Sequence, residues 1–257
     1  MKKRMKIVTG VCIAAVLVSG FLLIKYEFRS NQTKQRFDIQ KNSDWEDELQ
    51  RFVQISKDII ETARETEAEV PDEPEEEAYA APPALLSLME ENKDVIGWLT
   101  VAGTNIDYPL MQKIEDNEYF LHRDIDGNES YPGSIYMDSN HRLDLKGLHI
   151  LYGHNMKNGT MFRDVVKFMD SDYFNSHQDI KIYTAEKEFV LEPIFCYAAR
   201  ADGSYRSMIY EQEELESFLL KKTGKELEAD NVFVLITCSY GSEDERTYLI
   251  VREIEAE

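Results

Sequence analysis

Only three cysteines occur in the 257 residues, at positions 12, 196 and 238. Three thiols cannot build a disulfide framework, and no pair of them has the spacing of a zinc ribbon. Basic residues are scarce as well: 29 Lys and Arg stand against 49 Asp and Glu, a net charge of -20. Phosphate binding needs clustered Lys and Arg that release counterions, so nucleic acid is excluded as the main partner. The same balance disfavours broad electrostatic adhesion to an anionic membrane. The chain has no internal repeat and no glycine-rich phosphate loop behind a strand. It does have an ordinary supply of core-forming residues, 43% hydrophobic and 11% aromatic, which sets it apart from disordered chains.

The charge is distributed unevenly. The first 36 residues hold eight basic side chains and a single acid, Glu27, which leaves the remainder at net -27. Within that head, residues 7–24 contain no charged side chain across 18 positions, about 27 Å at helical rise and enough to span a bilayer core. The run reads as a membrane segment. A cleaved signal peptide is the alternative, but Val18-Ser19-Gly20 is a poor small-residue exit site and the apolar run continues to Ile24, which favours an uncleaved signal anchor. Lys2, Lys3, Arg4 and Lys6 ahead of the segment orient the N-terminus inward, a bias weakened by Lys25 and Arg29 beyond it. Residues 1–29 are therefore expected to form a basic head and single-pass anchor in the cell membrane, with the body outside the cytoplasm.

Between the anchor and the body, residues 30–83 divide in two. Trp45, Leu49, Phe52, Ile55 and Ile59 recur every three or four positions, the spacing of a helical stripe. From 61 to 77 there are nine acids and one base, with Pro71 and Pro74, followed by Tyr79-Ala-Ala-Pro-Pro83. Such a run is a solvated, extended spacer. It lacks the alternating ligands and glycine of a calcium loop.

After Pro83 the composition changes. Short β-rich runs at 97–101, 106–110, 133–137, 148–152, 180–184, 189–199, 232–238 and 248–254 are separated by turn signals, and each predicts a strand. Residues 162–169 and 211–222 read as helices, the second with Leu215, Phe218 and Leu219 on one face for docking on a sheet. Eight short strands with peripheral helices predict a mainly β domain over 84–257, either a barrel or a sandwich.

Three residues in this body carry chemistry. Cys238 ends the apolar run Val232-Phe-Val-Leu-Ile-Thr237 and is followed by Ser239, Tyr240 and Gly241, where the chain turns. Taken alone, it reads more readily as a small core residue than as a nucleophile. His154 follows a strand and a glycine in Leu151-Tyr-Gly-His154, and Arg246 opens the last strand eight residues after Cys238. A hairpin would return its guanidinium to the thiol. Thiol acyl transfer needs a thiolate, a proton donor for the leaving amine and hydrogen-bond donors for the oxyanion; these three residues supply all of them.

With these residues in view, the sequence resembles the sortases, specifically class B. The motifs are Asn92-Lys-Asp-Val-Ile-Gly-Trp-Leu99, Asp107-Tyr-Pro109, Asp116-Asn-Glu-Tyr-Phe-Leu121, Gly133-Ser-Ile-Tyr-Met-Asp138, Leu151-Tyr-Gly-His154, Thr160-Met-Phe162 and Leu235-Ile-Thr-Cys238 followed by Arg246. They run in order over about 85–254. The resemblance implies an eight-stranded sortase-type β-barrel, preceded by N-terminal helices and the anchor, acting as a cysteine transpeptidase of the Gram-positive cell surface. It makes Cys238 the nucleophile on the threonine carbonyl of a sorting signal, His154 the proton donor to the departing nitrogen, and Arg246 the residue that holds the substrate and the oxyanion. The backbone N–H of Ser239 is offered as a second oxyanion donor. Asn117, Leu121, Tyr205, Thr237 and Ser239 match positions lining the peptide groove.

The implied partners are secreted proteins bearing a sorting signal, with a peptidoglycan precursor or a pilin lysine as the acceptor amine. A non-catalytic peptide receptor and a general cysteine protease are the competing readings. No metal or organic cofactor is required. One departure lies at Ile236, where class B often carries a small polar residue, so substrate preference beside the nucleophile would differ. Asp138 and Asp144 are candidate orienting acids or ordinary exposed loop residues. Cys196 reads as a buried strand residue, and Cys12 falls within the membrane segment.

Overall fold

The computed structural model describes residues 79–201, 208–239 and 244–255. The membrane segment, the helical arm, most of the acidic spacer, Cys12 and Tyr205 lie outside the described residues. Among those described, no helix is long and apolar enough to cross a membrane.

Eight strands close on themselves: β1 Val95–Val101, β2 Asp107–Met111, β3 Ile135–Met137, β4 Gly147–Tyr152, β5 Ile180–Tyr183, β6 Glu188–Arg200, β7 Asn231–Cys238 and β8 Glu245–Glu253. Their order around the wall is β1-β2-β3-β4-β7-β8-β6-β5, a closed barrel. Closure removes the unpaired edges that an open sheet of the same strands would expose. Two pairs are parallel, β2 with β3 and β4 with β7, and the rest are antiparallel. All eight expected strands are present and a barrel is formed. The last begins at Glu245, ahead of the expected 248, because pairing with β7 and β6 extends it.

Helices decorate the wall. α1, Pro83–Glu91, starts with a proline in its first turn and buries Leu85; proline suits this position because its missing N–H has no partner there in any helix. The sequence reading ends the spacer at Pro83 and assigns no particular helix to 84–91. The expected helix at 162–169 is a 3₁₀ helix, Asp164–Met169, followed by α2, Ser171–Ser176, capped by the Asp170 carboxylate on the N–H groups of Asp172 and Tyr173. α3, Gln212–Thr223, has Glu213 and Glu214 in its first turn and Lys221 and Lys222 in its last, complementing the helix dipole. Gly224 ends it in the left-handed region at φ 71°.

Alternation along β4, β7 and β8 gives each strand two buried faces. Leu148, Ile150, Val232, Val234, Ile236, Tyr248 and Ile250 pack outward against Leu215 and Leu219 of α3, with Phe218 partly buried beside them. The intervening residues face the barrel interior, where His149 stacks on Phe233 at 4.7 Å and Phe189 meets the same ring at 5.2 Å. His149 Nε2 bonds Asn231 Oδ1 at 2.9 Å, Asn231 Nδ2 donates to Glu253 Oε2, and Lys187 pairs with Glu253 at 2.9 Å. One end of the described domain meets the turn joining β5 and β6 and the other meets the start of β6: Tyr79 donates its hydroxyl to Thr184 O at 2.8 Å, and Ile254 N–H donates to Val190 O at 2.9 Å.

Burial of His149 drives its pKa down to about 4 from an ordinary 6.5. The folded chain keeps the imidazole neutral where the unfolded chain protonates it. Stability from this group is therefore fully present above pH 6.5 and is lost as pH falls from there to about 4, amounting to about 3 kcal/mol. Urea unfolding across that window is expected to show the loss, and His149→Gln is expected to flatten the slope relative to wild type.

Candidate active site

The candidate residues sit at the ends of three neighbouring strands, Cys238 on β7, Arg246 on β8 and His154 two residues past the end of β4. Tyr152 of β4 pairs with Ile236 of β7, and Ile236 pairs with Tyr248 of β8. Two residues further along the same face lie His154, Cys238 and Arg246, and Cys238 and Arg246 are themselves register partners. Cys238 and Arg246 are both half-buried. The early start of β8 is what makes this pairing possible. Across the next strand, Ala199 of β6 pairs with Arg246, and Tyr197 pairs with Tyr248, their rings stacked at 4.9 Å.

His154 is held from several sides. Gly153, immediately before it, packs so tightly that an added Cβ would lie 2.8 Å from the Phe162 ring and would overlap the Ile135 side chain. Phe162 N–H donates to His154 O at 2.9 Å, and Asn155 pairs with Met161 in an isolated antiparallel bridge. Met161 has a left-handed φ of 58° and donates its N–H to Tyr108 Oη at 3.0 Å.

The imidazole Nε2 contacts Leu121 O at 2.9 Å. A carbonyl only accepts, so Nε2 carries the hydrogen and Nδ1 is left to take up or release a proton. Burial pushes the His154 pKa below its usual value; the Leu121 bond opposes the shift, while the charges of His122 and Arg246 add to it. His122, exposed, stacks over the ring at 5.4 Å with the planes 25° apart.

The other expected residues take different places. Leu121 contributes through its carbonyl. Asn117, between β2 and β3, braces the connection that follows β3, its oxygen accepting from Ser139 N–H and its amide bonding Asp138. Thr237, grouped by sequence with the peptide-lining positions, is 2% exposed and donates its hydroxyl to Gly153 O at 2.8 Å. That hydroxyl ties β7 to the His154 segment. Ser239 donates its N–H to Glu245 O at 3.1 Å and its hydroxyl to the Glu245 carboxylate. That N–H is therefore engaged within the protein, contrary to the expectation of an open oxyanion donor.

Asp138 is no exposed loop residue: it is 1% exposed and accepts from Tyr152 Oη at 2.9 Å and from the Asn140 N–H and side chain at 3.0 Å. Asp144 pairs with Arg142 on the surface. Cys196 is half-buried on β6, with burial pushing its thiol up to about 12.

No family model matches the chain. The sortase B of Listeria monocytogenes is 32% identical over 180 residues, spanning 65% of this chain and 72% of that protein. The chain belongs to the sortase B family. Its barrel superposes on the crystal structure of Clostridium perfringens sortase B with a TM-score of 0.60 at 29% identity, over 66% of this chain and all but 1% of that one. A Staphylococcus aureus sortase B–substrate complex shares the fold at 22% identity and a TM-score of 0.61, over 86% of this chain and 99% of that one. As a sortase B, the chain is a cysteine transpeptidase.

Sequence reasoning missed several residues around the row. Asn155 is visible only as the neighbour of His154, and nothing in the local sequence marks Arg163, Glu245 or His122. Gly133 did stand in a sortase B motif, and its reason is now physical. At φ 59°, a Cβ there would overlap the carbonyls of Phe120 and Leu121, the second of which orients His154. Gly133→Ala is expected to destabilise the fold by about 1–3 kcal/mol in urea unfolding and to move the His154 ring ¹⁵N shifts, which report its tautomer.

Proposed function

We propose that this sortase B cleaves a C-terminal sorting signal of secreted proteins after threonine and transfers the acyl group to a cell-wall amine. The observation that carries the reading is the register pairing of Cys238 with Arg246 in the row that includes His154. A thiolate on Cys238 attacks the threonine carbonyl, and the oxyanion that forms lies toward the Arg246 guanidinium. A depressed His154 pKa makes its imidazolium the stronger acid, suited to protonating the departing nitrogen as the C–N bond breaks. The thioester then meets an amine, His154 takes up the amine's proton, and Cys238 leaves as thiolate. Unlike the acid of a serine-protease triad, Arg246 has no part in orienting the histidine; the Leu121 carbonyl does that.

The uncharged run at 7–24 supports a single-pass anchor in residues 1–29, with residues 30–83 as arm and spacer and 84–257 as the catalytic domain outside the cytoplasm. The existence of a substrate complex for the Staphylococcus aureus relative supports a peptide substrate.

Incubating the full-length chain with a panel of threonine-containing sorting peptides and an amine is expected to give cleavage after threonine, an amine-bearing product and an acyl-enzyme mass on Cys238. Cys238→Ala removes all turnover. Arg246→Lys lowers kcat/KM by about 10²- to 10³-fold, because a point ammonium does not reproduce the planar fork. A folded wild type that cleaves no peptide of the panel would falsify the reading. For the anchor, membrane fractionation is expected to recover the full chain in the pellet and to release a chain lacking residues 1–29; a soluble full-length chain would argue against it.

A further inference from the structure

β4 and β7 pair in register from Gly147 with Asn231 to Tyr152 with Ile236. Beyond that point the ladder does not stop. Gly153 N–H donates to Ile236 O at 3.2 Å, Thr237 Oγ1 donates to Gly153 O at 2.8 Å, and Asn155 Nδ2 donates to Cys238 O at 2.7 Å. The last of these links the residue after His154 directly to Cys238. Asn155 is 4% exposed, so its amide has little water to fall back on.

The other end of that amide meets Arg163, whose Nη1 donates to Asn155 Oδ1 at 3.1 Å. A guanidinium has no acceptor, so it dictates which end of the amide is oxygen and turns the NH₂ toward Cys238. The peptide group that follows Cys238 is then held at both polar atoms, its carbonyl by Asn155 and its N–H by Glu245 O at 3.1 Å. With the peptide plane pinned, the thiol cannot swing by backbone rotation as the strand ends.

We infer that Asn155, oriented by Arg163, is a positioning residue that locks the backbone of Cys238 against the His154 segment and so sets the alignment of thiol and imidazole for acyl transfer. The inference rests on the assignment of Cys238 and His154 proposed above. Asn155 touches neither the substrate carbonyl nor the leaving group. Its action is on the geometry of the two residues that do, and a misplacement of the order of 1 Å there is enough to cost about 100-fold in rate.

The test uses the full-length chain and its Asn155→Asp, Arg163→Met, Arg163→Lys and Asn155→Asp/Arg163→Met variants. Aspartate keeps an acceptor for Arg163 and nearly the same volume, but sets an oxygen against the Cys238 carbonyl. Asn155→Asp is expected to lower kcat for peptide cleavage by about 10- to 100-fold with KM within about twofold of wild type. Arg163→Met gives a smaller loss of kcat, Arg163→Lys recovers most of it, and the double variant is no slower than Asn155→Asp alone. A folded Asn155→Asp chain with wild-type kcat, a loss carried wholly by KM, or multiplying losses in the double variant would overturn the inference.

A second arm needs no sorting peptide: the pH dependence of Cys238 alkylation by iodoacetamide, read by mass spectrometry on the Cys238 peptide. Asn155→Asp is expected to displace the midpoint from that of wild type, and an unchanged profile overturns the inference. Displacement in a protein whose wild type cleaves no peptide would leave the positioning role standing while the proposed substrate fails.

Discussion

Parallel pairing of β4 with β7 is the constraint on which the site depends. Parallel neighbours need a crossover connection, and here the crossover takes in β5, β6 and α3 before the chain returns beside β4. His154 and Cys238 stand at the ends of these two strands, so residues far apart in the chain are neighbours only when the ladder is in register. A slip of one residue would turn every side chain of β7 to the opposite face, sending Cys238 toward the barrel interior and Thr237 toward the groove. The outward row Val232, Val234 and Ile236, locked under Leu215 and Leu219 of α3, is what prevents the slip. Packing remote from the chemistry thereby determines which residue is presented to it.

The same pairing divides labour between the two strand faces. Outward residues run from an apolar cluster beneath α3 to the pair Cys238 and Arg246, while inward residues run from the His149–Asn231–Glu253 network at one end to Thr237 at the other. Inside the barrel His149, Asn231 and Glu253 bond one another, while His149 Nδ1 and Thr247 Oγ1 have no hydrogen-bond partner among the described residues; the polar groups at the open end are held by backbone carbonyls. Leu121 O fixes the His154 ring, Gly153 O takes the Thr237 hydroxyl and Cys238 O takes the Asn155 amide. Carbonyls are suited to this task because they hold a donor without titrating.

The strands were legible in the sequence for a plain reason: a run such as Val232-Phe-Val-Leu-Ile is apolar on both faces, and both faces are in fact covered. β8 was legible only from Tyr248 onward. Glu245-Arg-Thr247 carries no strand signal of its own, and pairing with Cys238 and Ala199 imposes the conformation. The opening of α1 was hidden by Pro82-Pro83, which resembles the spacer before it. In the site, Cys238, His154 and Arg246 could be singled out as candidates because the motifs around them are local, and the structure pairs Cys238 with Arg246. The partners of the Thr237 hydroxyl and the Ser239 N–H were not legible, because local sequence does not say where a hydroxyl or N–H will find its partner. Arg163 and Glu245 were invisible for the same reason, since their roles exist only once separate segments have met.

The meeting of both ends of the described domain beside the β5–β6 turn has a bearing on reach. Tyr79 and Ile254 are held at Thr184 and Val190, near the start of β6, whereas Arg246 pairs with Ala199 near its finish. At the rise of an extended strand those nine residues cover about 30 Å. The mouth of the site therefore projects about that far from the point where the chain enters the barrel. The barrel itself therefore sets the distance from Tyr79 to the row of Cys238 and Arg246, independently of the residues that precede Tyr79.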